Sequence, residues 1–205
     1  MLAGIAAPVL LRMKKKGDQL KLMSHGRDMA MAMNNFSAEY GSLPDRDTAK
    51  AVTEKTGSSL NLSGDTANDY FRQLIAAGFA RSEDPFWAKT PYSPNPPDNN
   101  MTGNEALKAG EVGFGFVMYG FQGLGDAKPD RIIAVTPLID AKGEFDPGPM
   151  DGKAALVCLD SGVKFMTIRP DRKVDVANGK TLLETGADTV WGSGVTPVIK
   201  MPRKR

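Results

Sequence analysis

The pattern of apolar and polar positions divides the chain into stretches of different character. Residues 2 to 40 hold one proline, Pro8, and three isolated glycines, Gly4, Gly17 and Gly26, among Ala, Leu, Met, Lys and Gln, a composition that predicts one long helix. Past Lys14, Lys15 and Lys16, the residues Met29, Met33, Phe36 and Tyr40 recur at i, i+4, i+7 and i+11, with Leu22 upstream on the same stripe. Lys21, Arg27, Asp28, Asn34 and Asn35 fall largely off that stripe, so this half of the helix has one apolar face. The first eleven residues differ. Apart from Gly4 and Pro8 they are aliphatic or Met and carry no charge, which makes them apolar all round.

Gly41, Ser42 and Pro44 end the helix, because a proline disfavours helical backbone at the residue before it. A second, short helix is expected from Ser63 or Asp65, each suited to an N-cap, to Ala77. Tyr70, Phe71, Leu74 and Ile75 form its apolar face and Gly78 its C-terminal cap. From Arg81 to Gly103 Pro, Asn, Asp and Ser take over, and "TPYSPNPPDNN" reads as a long surface loop anchored to the core by Phe86 and Trp87.

From Glu111 onward the signal is β. The runs "EVGFGFVMYGF", "DRIIAVTPLI", "KAALVCLD" and "GVKFMTIRP" are rich in Val, Ile, Phe or Tyr and bounded by Gly, Pro or Asp. "LDSGVKF" joins the last two through a tight turn, which predicts an antiparallel hairpin. The last thirty residues, with Trp191, are expected to wrap irregularly around the sheet. The pattern therefore predicts an α+β fold: a helix over residues 1–40, packed through Met29, Met33, Phe36 and Tyr40 on a head of residues 41–205. That head is expected to hold an antiparallel sheet, the second short helix and long loops.

Composition narrows the chemistry. An apolar fraction of 41% and a charged fraction of 24% over 205 residues are those of a folded protein, and a net charge of +2 implies no polyanionic partner for the whole chain. One cysteine, Cys158, excludes an internal disulfide and a thiolate metal cluster, and lying in an apolar strand it reads as a buried, inert thiol. The one histidine, His25, has no nominated nucleophile or orienting group beside it and reads as a surface residue. "NGKT" at 178–181 resembles the end of a phosphate-binding loop, but the glycine required five residues before Gly179 is Val174. The glycines of "GEVGFGF" and "YGFQGLGD" lack the strand, turn and helix order of a dinucleotide site. "IDAKGEFDPG" places Asp140, Glu144 and Asp146 near one another as candidate calcium ligands, without the alternating oxygens of an EF-hand loop. "DMAMAM" reads as helix packing.

The opening stretch carries a resemblance. "LAGIAAPVLLRMKKK" resembles the second half of the N-terminal segment of type IV pilins and type II secretion pseudopilins, where an apolar stretch ends in Leu-Ala-x-Ile-Ala-x-Pro and passes into a polar helix. Leu2, Ala3, Ile5, Ala6 and Pro8 fall on that pattern, Pro8 at the position of the helix-kinking proline. "DQLKLMSHGRDMAMAMNNFSAEYGSLP" is similar to pseudopilin-like proteins whose helix ends in an aromatic, an acidic pair and a Gly-x-x-Pro turn. "AALVCLDSGVKFM" is similar to the late hairpin of that group, and "DTVWGSGVTPVIKMP" to its C-terminal end. The family's glycine-ended leader and the glutamate that follows it are absent. Ten residues between Met1 and Arg12 also fall short of the roughly 20 apolar residues of a membrane span, so residues 1–11 read as the remnant of a longer segment.

What the resemblance implies is a pilin-like fold and a non-enzymatic structural subunit of a bacterial envelope filament, a type II secretion pseudopilus or type IV pilus. Such a subunit polymerises through Leu2, Ile5, Pro8, Val9 and Leu10 with copies of itself or with other pilin-like subunits. It implies a full-length helix in the inner membrane, a head in the periplasm, and no cofactor. The alternative is a ligand-binding minor pilin or envelope binding module taking a glycan, calcium or DNA. Trp87, Tyr92, Asp98, Asn99 and Asn100 would contact that ligand, with the basic tail Arg203, Lys204 and Arg205 adding phosphate affinity, although no strong nucleic-acid signal is present.

Overall fold

The computed structural model describes the backbone of residues 3–120 and 130–204 and the side chains of residues 13–120 and 130–204. Leu2 lies outside the described residues, as do the side chains of Ile5, Pro8, Val9 and Leu10. Helix α1, Ala3–Tyr40, runs unbroken through Pro8. Its later half is held by the head: Leu22, Met29, Ala30, Met33 and Phe36 are buried. Tyr40, half-buried, stacks on Phe36 with ring centroids 4.6 Å apart, and Phe79 meets Phe36 edge-on at 6.2 Å. Gly41, at φ 79°, closes the helix by donating its N–H to Ser37 O at 2.9 Å.

Gly26 is the point of closest approach to the sheet. A Cβ added there would stand 2.7 Å from Val163 Cγ2 and 3.0 Å from Val157 Cγ2. A glycine inside a helix costs about 1 kcal/mol against alanine; here it lets the helix backbone rest on two valines.

Helix α2, Arg46–Thr56, is an addition to the expected elements. Its start is a capping box. Asp45 Oδ1 accepts from Thr48 N–H at 2.7 Å, and Thr48 Oγ1 accepts from Asp45 N–H at 2.8 Å. Gly57, at φ 63°, ends it. Only Thr48, Ala49 and Val52 are buried, too thin a stripe to register as hydrophobic periodicity.

Helix α3 spans Ala67–Ala76, starting later than Ser63 or Asp65 because Thr66 is the cap and donates its N–H to Asp69 Oδ2 at 3.0 Å. Residues 67–74 are all buried, which makes α3 the central helix of the head. Phe71 lies 5.0 Å from Phe86 and 5.7 Å from Phe116, and Tyr70 lies 5.5 Å from Phe116. Asp69 and Arg72, both buried, pair at 2.8 Å.

The sheet has five antiparallel strands: β1 Gly115–Met118, β2 Ile132–Thr136, β3 Lys153–Cys158, β4 Val163–Thr167 and β7 Val198–Lys200, in the order β4-β3-β2-β1-β7. The turn between β3 and β4 is the tight one expected. Ser161 takes φ 67°, and Asp160 Oδ1 accepts from Gly162 N–H at 2.7 Å. β5 Asp175–Ala177 and β6 Lys180–Thr181 form a separate ribbon. α1 packs against β3 and β4, and α3 against α2 and β1.

Two expectations need correction. The C-terminal stretch is only in part an irregular wrap, since β7 pairs with β1 and completes the sheet. Trp191 is fully buried, and its Nε1 donates to Leu182 O at 2.6 Å. The Pro- and Asn-rich segment after Arg81 is not wholly a surface loop either. It opens with a 3-10 turn, Asp84–Phe86, and buries Glu83, Phe86, Ala88, Thr90 and Ser93. Gly113 makes that possible: an added Cβ would lie 2.1 Å from Ala88 O, and its N–H donates to Phe86 O at 2.9 Å.

Candidate functional site

The feature most unlike an ordinary small α+β domain is the division of α1 into two parts. From Leu22 to Tyr40 the head covers one face of it and leaves Met31 51% exposed on the other, whereas between residues 13 and 20 both large apolar side chains are outside the head, Met13 at 65% and Leu20 at 67% exposed. Lys15 reaches back to the head, with Nζ 3.0 Å from Asp151 Oδ1. Among the described residues no helix is long and apolar enough to cross a membrane.

Where the two parts of α1 meet, a groove of about 410 Å³ opens between the helix and the head. Lys14, Asp18 and Lys21 line one wall, and Trp87, Lys89 and Met150 the other. Lys21 Nζ stands 5.0 Å from the centroid of the Trp87 ring, a cation–π contact. His25 closes the floor. Contrary to its expected place on the surface, it is 7% exposed, and its Nδ1 lies 2.8 Å from Trp87 O. A carbonyl only accepts, so Nδ1 carries the hydrogen and donates it. His25 thereby fixes the Trp87 backbone to α1, a positioning contact with no hydroxyl or thiol in it.

The other sequence candidates are dispersed by the fold. Cys158 is fully buried, and burial pushes its thiol up to about 11, which leaves it unreactive at neutral pH. Tyr92 points inward: its hydroxyl donates to Gly113 O at 3.2 Å and accepts from Leu138 N–H at 3.4 Å, and burial pushes it up to about 12. It is thus separated in role from exposed Asp98, Asn99 and Asn100. In the basic tail, Arg203 is engaged with the head, pairing with buried Asp69 at 2.9 Å, and Arg205 lies outside the described residues.

Asp140, Glu144 and Asp146 do not bring their carboxylates together. Asp140 Oδ1 accepts from Lys142 N–H at 2.9 Å and from Glu144 N–H at 3.4 Å, and Asp146 Oδ1 accepts from Gly148 N–H at 2.9 Å. The acidic oxygens that converge among the described residues are instead those of Glu83, Asp98 and Glu111, all within 4.8 Å of one another. No local motif could have nominated this trio, because its members are 15 and 13 residues apart and meet only once the segment around Glu83 turns inward. No family model, curated protein or solved structure matches this chain.

Proposed function

We propose that this chain is a structural subunit of a bacterial envelope filament, of the pilin or type II secretion pseudopilin kind, and that it polymerises through α1. One observation carries the reading: a single 38-residue helix whose later half has its apolar face buried by its own head while its earlier half offers exposed Met13 and Leu20 and an uncharged sequence before Arg12. A segment apolar on every side is satisfied by lipid or by other helices, not by one small head. The same segment serves two states. It rests in the inner membrane before assembly and in a bundle of like helices afterwards, with little change in apolar burial. Pro8 removes one helix hydrogen bond and lets the segment bend as it moves between them. Lys14, Lys15 and Lys16 sit at the rim, against lipid headgroups or the outside of the bundle.

The head then supplies the outer surface of the filament, built on the antiparallel sheet and the loops after α3. The test is a charge in the apolar segment. Ile5→Lys or Val9→Lys should leave the head folded, by circular dichroism and thermal melting, while abolishing incorporation into filaments isolated from the bacterial envelope. Normal incorporation of both variants would overturn the proposal.

A further inference from the structure

Glu83 stands just ahead of the 3-10 turn Asp84–Phe86 and is wholly buried. One of its oxygens is accounted for: Oε1 accepts from Leu107 N–H at 2.5 Å. Its own N–H donates to Asn99 Oδ1 at 2.8 Å, so the side chain and backbone of one residue tie down both ends of the segment 99–107. The other oxygen, Oε2, is buried with no hydrogen-bond partner among the described residues. A carboxylate oxygen of Glu83 lies within 4.8 Å of carboxylate oxygens of Glu111, 5% exposed, whose Oε2 accepts from Lys108 N–H at 3.0 Å, and of exposed Asp98, whose Oδ1 accepts from Asn100 N–H at 2.9 Å.

An unpaired buried carboxylate oxygen beside two further carboxylates is costly unless a cation or a proton lies among them. Lys108 supplies part of the charge from the solvent side. Its ammonium pairs closely with Asp98 and lies 3.4 Å from Glu105 and 3.6 Å from Glu111. Among the described residues it makes no ion pair with Glu83. The nearby guanidinium of Arg72 is already taken by Asp69 and by the carbonyls of Ala106 and Leu107. Three carboxylates therefore share one ammonium, and the innermost oxygen faces none.

We propose that Glu83, Asp98 and Glu111 hold a calcium ion, and that Lys108 closes the mouth of the site and swings outward when calcium enters. The donors are all oxygen, with neither His nor Cys among them, which selects a hard cation. They come from irregular loops, and calcium tolerates irregular geometry where magnesium demands an octahedron. The ion would cross-link the Glu83 turn to the segment 98–111, which carries left-handed backbone at Asn99 (φ 58°) and Leu107 (φ 47°).

The experiment is thermal melting of the full chain in EDTA and in calcium chloride. Calcium at a hundred times its dissociation constant should raise the Tm by about 5–10 °C. The rise should vanish in Glu83→Gln and shrink or vanish in Asp98→Asn, whose exposed side chain can be changed without unfolding the core. The order of the variants should also cross: in EDTA Glu83→Gln, which removes a buried charge that has no ion pair among the described residues, should melt above the parent, and in calcium the parent should melt above Glu83→Gln. A parent Tm indifferent to calcium would overturn the proposal, leaving a proton shared between carboxylates. So would a calcium shift that survives in both variants and disappears in Asp140→Asn with Asp146→Asn.

Discussion

The two parts of α1 are made from similar helix-forming residues, and they differ in what covers them. From Leu22 to Tyr40 the apolar positions repeat on one face, and that face is sealed against β3, β4 and the segment around Phe86. Before residue 21 side chains such as Met13 and Leu20 point away from the head. Helix propensity is the common property, so propensity alone cannot explain the division. The later half is helical and fixed because tertiary burial holds it. Between residues 13 and 20 the large apolar side chains Met13 and Leu20 are exposed, and the contacts with the head are those of polar side chains such as Lys15 with Asp151.

The comparison breaks most visibly at Phe36. It is fully buried and touches both Tyr40 and Phe79, so Phe36→Ala should cost about 3–5 kcal/mol of stability in urea unfolding. A loss under 1 kcal/mol would mean that the clasped half is no more tightly held than the exposed one. Gly26→Ala tests the same contact from its backbone side. The added methyl meets Val163 at 2.7 Å, and because a valine methyl yields more readily than backbone, the cost should be about 1–3 kcal/mol even though alanine is the better helix former. A stabilised Gly26→Ala would show that the helix can lift off the sheet without penalty.

These two positions also show what could be read from the sequence. The stripe at 22, 29, 33, 36 and 40 was legible because its spacing follows the helical period, and the strands were legible because Val, Ile and Phe run together between turn residues. His25 falls on that same stripe, three residues after Leu22 and four before Met29, and its burial was readable from spacing that chemical type obscured. Helix α2 was hidden because only three of its residues are buried, although its caps, Asp45 with Thr48 and Gly57, stood in plain sight. β7 was hidden by its length of three residues. The meeting of Glu83 with Asp98 and Glu111 had no local signal, since it depends on Gly113 letting a Pro-rich segment enter the core.

His25 marks the boundary between the two parts, and its removal sharpens the comparison at a smaller scale. His25→Ala deletes the hydrogen bond to Trp87 O and should cost about 1 kcal/mol. Its clearest readout is Trp fluorescence: the Trp87 environment should change while that of buried Trp191, held by Leu182 O, stays as it was. Identical spectra would mean that the groove keeps its shape without the histidine.

The smallest expected effect on folding lies at the other end of the comparison. Met13→Ser combined with Leu20→Ser removes two large apolar side chains that are 65% and 67% exposed, and stability should stay within about 0.5 kcal/mol of the parent. Self-association should fall all the same, because these are the apolar atoms the head leaves uncovered, and sedimentation of the parent and the double variant at matched concentration measures it. A variant that unfolds more easily would show that the earlier half of α1 is supported by its own head after all. A variant equal to the parent in both stability and association would mean that the exposed part of α1 contributes nothing to self-association between residues 13 and 20.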